Sequence, residues 1–234
     1  MKIRKILPAA LALLVLLSAC AAPNQPTTEA RETTVESVNA TVPSTESLSQ
    51  SGCDAVFFGD SITADSNFDE LFPELQLVNL GVYGDTLEDL LRRVPEVRAK
   101  GPARIFLLGG INCLREDRFE RCVTEYAALL DALCSACPGA ELIVQSVLPV
   151  SRDLTDPMLL TNDTVRRFNA EIEALAARRG CAYVDLWPAY EKDGQLDPTL
   201  TRDGLHLNYT AYWRTCLQSL QWKKRWKRTN CCWI

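Results

Sequence analysis

Five short apolar runs, separated by stretches with helical periodicity, constrain the fold of this chain more than any other feature. Each run has five to seven residues and is rich in β-branched or aromatic side chains, as buried parallel strands are. The runs cover 54–58, 75–80, 103–108, 141–147 and 181–186. Between them, apolar residues recur every three or four positions at 87–94, 126–133 and 165–175, which predicts amphipathic helices, and a last helix is predicted over 208–220. Strands that alternate with helices predict βαβ units and a parallel sheet covered on both faces.

Charge and composition disfavour two classes of function. The 234 residues include 25 Lys and Arg against 30 Asp and Glu, a formal net charge of -5. Nucleic-acid phosphates are bound by clustered Lys and Arg, so we expect no nucleic-acid partner. The chain has a single histidine, His206, which excludes any metal site that needs two.

The amino terminus has the pattern of an export signal. Basic residues precede an apolar run over 6–17, which is too short for a bilayer that requires about 20 residues. The sequence Leu-Ser-Ala-Cys at 17–20 then resembles the bacterial lipobox. This resemblance implies that 1–19 is a lipoprotein signal peptide and that a lipid on Cys20 anchors the protein in the bacterial cell membrane, on the extracytoplasmic side. An ordinary signal peptide with an incidental Cys20 is the alternative.

Three further segments follow the signal peptide. The segment 20–52 is rich in Thr and Ser and has no aromatic residue, so it cannot bury enough apolar surface to fold and is predicted to be a disordered tether. The segment 53–220 is long enough to form a single core. The tail 221–234 combines basic residues with three tryptophans. It is either a solvated extension or a surface that lies on an anionic membrane.

Three of the predicted strands are followed by residues that are suited to catalysis. Ser61 comes directly after the first strand, where its hydroxyl is placed to act as a nucleophile. Gly81 ends the second strand, and the absence of a Cβ there lets a backbone N–H approach a ligand. Asn112 follows the third strand, and its amide can donate a hydrogen bond to an oxyanion. Taken singly, each of these residues favours an ordinary turn.

Asp203 and His206 follow the last predicted strand. Their spacing lets the carboxylate accept a hydrogen bond from one ring nitrogen and leaves the other nitrogen free to act as a base. A surface histidine beside a capping aspartate is the alternative. Sites in parallel α/β sheets lie beyond the carboxyl ends of the strands, so the topology predicts that this pair meets Ser61. The complete set supplies a nucleophile, a base, an orienting acid and oxyanion donors, which is what acyl transfer requires.

In this order, the four segments resemble the sequence blocks of the SGNH hydrolases, also called the GDSL esterase/lipase family. The matching segments are Phe-Gly-Asp-Ser-Ile-Thr at 58–63, Gly81 within 79–86, Gly-Ile-Asn at 110–112 and Asp-Gly-Leu-His at 203–206. The resemblance extends over about 54–220. It implies an α/β fold of the flavodoxin-like type, a three-layer α/β/α sandwich with a five-stranded parallel sheet.

The resemblance also implies a role for each site residue. Ser61 would attack an ester carbonyl, His206 would take its proton and later give it to the leaving alcohol, and Asp203 would hold the imidazole in the right tautomer. The N–H groups of Ser61 and Gly81 and the side chain of Asn112 would bind the oxyanion. This chemistry needs no metal and no organic cofactor.

The cysteines include one departure from the family pattern. Many family members have Asp after the third-block Asn, where this chain has Cys113, and we expect activity to survive the change. Nine cysteines remain when Cys20 is excluded. Export would permit disulfides, and Cys113 with Cys122 is the predicted local bridge, with free thiols as the alternative. Cys134 and Cys137 have CxxC spacing but no second ligand pair, which argues against zinc.

Together, these expectations describe a membrane-tethered serine esterase that acts on a small-molecule or glycan ester. A cell-surface location and a compact domain favour short acyl groups, such as O-acetyl groups on carbohydrate. Two alternatives stay open: a lysophospholipase or thioesterase that acts on longer acyl chains, and a non-catalytic surface-binding lipoprotein of the same fold. The presence of Ser61, Asp203 and His206 argues against the second. The sequence does not indicate an oligomeric state.

Overall fold

A parallel sheet of five strands forms the centre of the domain. The computed structural model describes residues 52–66, 73–154, 160–208 and 211. Its strands are β1 Ala55–Gly59, β2 Leu77–Gly81, β3 Arg104–Leu108, β4 Glu141–Gln145 and β5 Ala182–Val184. They are parallel and lie in the order β2-β1-β3-β4-β5. The predicted five-stranded α/β fold is therefore confirmed.

The fourth strand is shorter than the apolar run predicts. It ends at Gln145, and two residues later the side-chain amide of Asn169 binds the backbone of Val147 in place of a neighbouring strand. The amide oxygen accepts the Val147 N–H at 2.9 Å, and the amide nitrogen donates to the Val147 carbonyl at 2.9 Å. A side chain that satisfies both backbone groups replaces a strand partner.

Among the described residues, three long helices and two short ones accompany the sheet. They are α1 Ser61–Ala64, α2 Leu87–Ala99, α3 Phe119–Ala136, α4 Asn162–Arg178 and α5 Trp187–Tyr190. Thr86 starts α2 with a capping box, in which Thr86 and Asp89 each satisfy the other's backbone N–H. No helix among the described residues is long and apolar enough to cross a membrane. The last predicted helix and the predictions for 1–51 and 221–234 lie outside the described residues, apart from Asn208 and Ala211.

Alternating strand residues point to opposite faces of the sheet, as the pleat requires. On one face, Val56 and Phe58 of β1 belong to a core cluster that includes the buried sides of α2, α3 and α4. On the other face, Phe57 stacks on Phe106 of β3 with ring centroids 4.8 Å apart. A small antiparallel pair, β6 Glu191–Lys192 and β7 Gln195–Leu196, was not predicted.

The register of the sheet aligns the ends of β1, β2 and β3. Gly59 pairs with Gly81 of β2 on one side and with Leu108 of β3 on the other. The segments that follow these residues therefore begin at the same edge of the sheet. These segments contain Ser61 after β1, the turn with Gly84 after β2, and Asn112 after β3.

Candidate active site

Ser61 stands at the first position of α1, directly after β1. Asp60 is the N-cap of this short helix, and its Oδ1 accepts the backbone N–H of Ile62 at 3.0 Å. The Ser61 side chain is almost fully buried, and within the described residues its backbone N–H has no hydrogen-bond partner. A strand that ends in a capped turn thus presents both a hydroxyl and a free N–H at the edge of the sheet.

The imidazole of His206 connects Ser61 to Asp203. Its Nε2 lies 3.0 Å from Ser61 Oγ, and its Nδ1 lies 2.7 Å from Asp203 Oδ2. The structure therefore brings together the three residues that the sequence predicts, although Ser61 and His206 are 145 residues apart. These contacts match the arrangement of a nucleophile, a base and an orienting acid.

The loop around Asp203 fixes the position of the imidazole. Asp203 Oδ1 accepts the N–H groups of Leu205 at 3.0 Å and of His206 at 2.7 Å. Thr201 Oγ1 closes the loop by donating to the His206 carbonyl at 2.7 Å and accepting the Gly204 N–H at 2.7 Å. Gly204 has φ +86, a left-handed conformation that glycine adopts without strain.

The ionisation of Asp203 decides which ring nitrogen can act as a base. Partial burial raises the pKa of Asp203, but hydrogen bonds from the N–H and the ring of His206 and from the N–H of Leu205 lower it to about 2. An ionised carboxylate can only accept hydrogen bonds. In the neutral ring the proton must therefore reside on Nδ1, which leaves a lone pair on Nε2 that faces Ser61 Oγ.

Asp60 is a second carboxylate next to the serine, and it is fully buried. Its Oδ2 has no hydrogen-bond partner among the described residues. Burial raises the pKa of Asp60 to about 6, although the Ile62 N–H acts in the opposite direction. Its observed contact, as the cap of α1, fits a role in bracing the turn that holds Ser61.

Gly81, predicted as an oxyanion donor, does not fit that role in the structure. Its N–H is donated to Asn79 Oδ1 at 2.8 Å, and the Asn79 amide in turn donates to the carbonyls of Thr63 and Ser66 at 2.8 and 2.9 Å. A Cβ on Gly81 would lie 2.2 Å from the backbone nitrogen of Ala64. Glycine is therefore needed here because β2 packs tightly against α1, while its N–H is already bound.

Gly84, in the turn after β2, has the open surroundings and the free N–H that an oxyanion donor needs and that were expected of Gly81. It has φ +80, and no atom lies within 4 Å of the position of its missing Cβ. Within the described residues its N–H has no hydrogen-bond partner. The sequence signal was available, since Gly84 lies three residues after Gly81 within the segment 79–86.

Asn112 and Asp85 hold the two loops of the site together. The Asn112 side-chain nitrogen donates to the Asp85 carbonyl at 2.9 Å, which leaves its second hydrogen for another acceptor. The Asp85 carboxylate is fixed by Arg93, whose Nη1 lies 2.5 Å from Asp85 Oδ2. Arg93 also donates to the Leu80 carbonyl at 3.0 Å. The turn that contains Gly84 is thereby tied to the loop that contains Asn112.

One group of described residues has the ligand types and the spacing for a metal ion. The ligand atoms of Cys113, Cys122 and Glu125 all lie within 4.8 Å of one another. Each is already engaged: Cys122 Sγ donates to the Cys113 carbonyl at 3.0 Å, Cys113 Sγ donates to the Gly110 carbonyl at 3.3 Å, and Glu125 accepts from Arg121 at 2.6 Å. Both cysteines are free thiols in this structure, so the structure does not contain the predicted Cys113–Cys122 bridge.

Comparison with known proteins gives one family match and several structural matches. The model of the GDSL-like lipase/acylhydrolase family matches residues 57–214. A GDSL-like lipase from Bacteroides thetaiotaomicron has 23% identity and a TM-score of 0.61, with 74% of this chain and 88% of that chain covered. The lipase/acylhydrolase from Enterococcus faecalis has 22% identity and a TM-score of 0.59, with 74% of this chain and 95% of that chain covered. An acetyl xylan esterase, AlAXEase, has 20% identity and a TM-score of 0.60, with 71% of this chain and 98% of that chain covered.

These likenesses at low identity establish the fold. No curated protein matches the chain.

Proposed function

The chain belongs to the GDSL-like lipase/acylhydrolase family, and we propose that it is a serine esterase that acts through Ser61, His206 and Asp203. One observation carries this proposal: the continuous contact from Ser61 Oγ to His206 Nε2 at 3.0 Å and from His206 Nδ1 to Asp203 Oδ2 at 2.7 Å. A surface histidine that only capped a turn would have no need of the serine contact.

The reaction proceeds in two halves. Ser61 Oγ attacks the ester carbonyl carbon as its proton moves to His206 Nε2, and the carbonyl oxygen becomes an oxyanion. Collapse of this intermediate breaks the bond to the alcohol, which leaves with the proton from Nε2. A water molecule then attacks the acyl-enzyme in the same way and releases the acid. Asp203 stays ionised throughout and stabilises the imidazolium.

The oxyanion is bound by the Ser61 N–H, the Asn112 amide and the N–H of Gly84, which takes the place of Gly81. The N–H groups of Ser61 and Gly84 lack partners within the described residues, whereas the Gly81 N–H is occupied. The bond from Asn112 to the Asp85 carbonyl keeps the two loops in a fixed relation. Donors that are held in place before the reaction stabilise developing charge most effectively.

The substrate is an ester with a short acyl group, such as an O-acetyl group on a carbohydrate. One of the solved structures that share this fold is named as an acetyl xylan esterase. A groove beside Asp203, whose lining includes Ser151, Arg152 and Gln195, offers hydrogen-bonding groups that suit a glycan.

A longer acyl chain is the second candidate, because three exposed apolar side chains lie in the loops that follow β2 and β4. Val82, Tyr83 and Leu154 are 41%, 61% and 44% exposed, and they are the large exposed hydrophobic residues of the described part of the chain. Exposed apolar side chains at this edge of the sheet would contact the alkyl chain of a lysophospholipid or thioester.

The enzyme is anchored to the outer side of the bacterial cell membrane by a lipid on Cys20, and the segment 20–52 is its tether. The lipobox-like sequence at 17–20 supports this location. Replacing Cys20 by Ala in the producing bacterium tests it, since the variant should appear in the medium or periplasm and should not incorporate a labelled fatty acid. A variant that stays membrane-bound would contradict lipid anchoring.

Hydrolysis of p-nitrophenyl esters, from acetate to decanoate, tests the reaction and chooses between the two substrates. The purified protein is compared with Ser61→Ala, which should lose nearly all activity. A rate that peaks at acetate supports the short-acyl substrate, and a rate that rises toward decanoate supports the longer one. A folded protein without Ser61-dependent hydrolysis of any ester would favour a non-catalytic surface-binding protein.

A further inference from the structure

Two cysteines that are far apart in the sequence are in contact at the edge of the sheet that lies opposite to Ser61. Cys134 is in the last turn of α3, and Cys181 comes directly before β5. Their Sγ atoms are 3.8 Å apart, and 47 residues separate them. Because the strands are parallel, the start of β5 and the end of β1 lie at opposite edges, so this pair is distinct from the site.

The two sulfur atoms are already in van der Waals contact, at 3.8 Å. A disulfide has an S–S distance of about 2.05 Å, so the sulfurs must move closer by less than 2 Å to form the bond. Cys181 follows the last residues of α4, and its N–H is donated to the Ala176 carbonyl at 3.0 Å. Both cysteines are half-buried free thiols, and they line a groove of about 600 Å³ that is open to solvent.

We propose that Cys134 and Cys181 form a disulfide in the exported protein. The oxidant is a low-molecular-weight disulfide or the disulfide of a thiol oxidoreductase. One cysteine thiolate attacks the oxidant, breaks its S–S bond and releases one thiol. The second cysteine thiolate attacks the mixed disulfide and releases the other thiol. Two protein thiols lose two electrons and two protons, and the oxidant becomes two thiols.

The disulfide would lie directly before β5, which is the shortest strand of the five-stranded sheet. β5 has three residues, pairs with β4 alone among the described strands, and is half-exposed along its length. After β5, the Leu186 N–H donates to Ser146 Oγ at 2.8 Å. The chain then forms α5 and continues to the loop that contains His206. A covalent link from α3 to the start of β5 therefore stabilises the part of the domain that carries the base.

The expected effect is a large rise in melting temperature. Cross-linking residues 47 positions apart removes much of the freedom of the unfolded chain, and for a domain of this size the rise should be about 10 °C. Cys137 provides a matched control, because it lines the same groove three residues after Cys134, while the sulfur in contact with Cys181 is that of Cys134.

The experiment uses the purified full chain and its Cys134→Ser, Cys181→Ser and Cys137→Ser variants, each incubated with oxidised or reduced glutathione. Free thiols are alkylated, and the digest is analysed by mass spectrometry without reduction. The wild type and Cys137→Ser should give a cross-linked pair of peptides that contain Cys134 and Cys181, and their oxidised forms should melt about 10 °C above the reduced ones. The other two variants should lose both signals.

Two results would overturn the assignment. One is a cross-link that joins Cys181 to Cys137, or Cys113 to Cys122, with none between Cys134 and Cys181. The other is a melting temperature that does not respond to oxidation in the wild type. Neither measurement involves ester hydrolysis, so the outcome is independent of the proposed activity.

Discussion

Asn112 donates a hydrogen bond from its side-chain amide to the backbone carbonyl of Asp85, with the two atoms 2.9 Å apart. The bond connects the loop after β3 to the turn after β2, and the ion pair with Arg93 fixes Asp85 from the other side. Both loops bear proposed oxyanion donors. Asn112 therefore has two functions in the site, since it keeps one loop in place and offers its other hydrogen to the substrate.

Replacing Asn112 by Ala should lower kcat by about 10²–10³-fold, because a donor to the oxyanion is lost in the transition state. KM should change little, since the ground-state carbonyl makes weaker use of that donor. Steady-state kinetics with p-nitrophenyl acetate measure both constants. A rise in KM at constant kcat would contradict the proposed role, and a far-UV spectrum that matches the wild type would exclude unfolding as the cause.

Replacing Gly81 by Ala should reduce stability more than replacing Gly84 by Ala. At Gly81 the new Cβ would lie 2.2 Å from the Ala64 nitrogen, so the free energy of unfolding should fall by several kcal/mol or the protein should fail to fold. At Gly84 there is open space, and the positive φ alone should cost about 1–2 kcal/mol. Urea unfolding of both variants tests this order, and equal losses would contradict the packing of Gly81 against α1.

Asp60 should make the protein less stable as pH rises. Its pKa increases from 3.8 to about 6 on folding, so the folded state holds the proton more tightly. The stability that this proton provides is fully present below about pH 4 and is lost as pH rises through about 6, a difference of about 3 kcal/mol.

Replacing Asp60 by Asn tests this pH dependence. The amide of the variant keeps an oxygen that accepts the Ile62 N–H but removes the charge. The unfolding free energy of the variant, relative to that of the wild type, should therefore increase between pH 4 and 7, as measured by urea titration at each pH. Parallel curves for the two proteins would show that Asp60 does not titrate in this range.

Replacing Asp203 by Asn should lower kcat by about 10⁴-fold, because an amide can donate to the ring and favour the wrong tautomer of His206. The low pKa of Asp203, about 2, means that this carboxylate is ionised throughout the range in which the enzyme is assayed. Protonation of Asp203 should begin to reduce stability and activity only as pH falls toward about 2. A loss of wild-type activity that follows Asp203 protonation at pH 4 or above would contradict the hydrogen-bond arrangement.

Replacing Tyr83 by Ala should separate the two candidate substrates. If the exposed ring contacts a long acyl chain, KM for p-nitrophenyl decanoate should rise by about 10-fold, which corresponds to about 1.4 kcal/mol of lost apolar contact. KM for the acetate should not change. Thr124→Ala, on the exposed side of α3, is a control remote from the loops. An unchanged KM for decanoate would remove Tyr83 from the binding surface.

The sequence was sufficient to predict the sheet and the meeting of Ser61 with His206. Five apolar runs predict the five strands of the sheet, and the parallel topology leads their carboxyl ends to one edge. The spacing of three between Asp203 and His206 predicts their contact. The hairpin of β6 and β7 was missed although Asp193-Gly194, with φ 54 and 79, is a common turn for two short strands.

The remaining details depend on side-chain rotamers and on packing between distant segments. The Asn79 side chain accepts the Gly81 N–H, and the sequence does not show this bond. An Asn side chain near a strand end can bind a nearby backbone N–H or point to solvent, and the sequence is the same in both cases. The predicted bridge between Cys113 and Cys122 relied on their proximity in the sequence. The contact of Cys134 with Cys181 depends on how the end of α3 packs beside the start of β5, which the sequence does not specify.

Ser61 lies at the end of the first strand, and His206 comes after the last. The five strands of the parallel sheet are complete by Val184, so a chain interrupted between Val184 and Asp203 would contain this whole sheet and its serine but no base. On the proposed mechanism, a nascent polypeptide cannot hydrolyse an ester before His206 has been added. Activity begins only when the loop that contains His206 has reached the first helix, so hydrolysis reports that the chain has been synthesised at least as far as this loop and has folded.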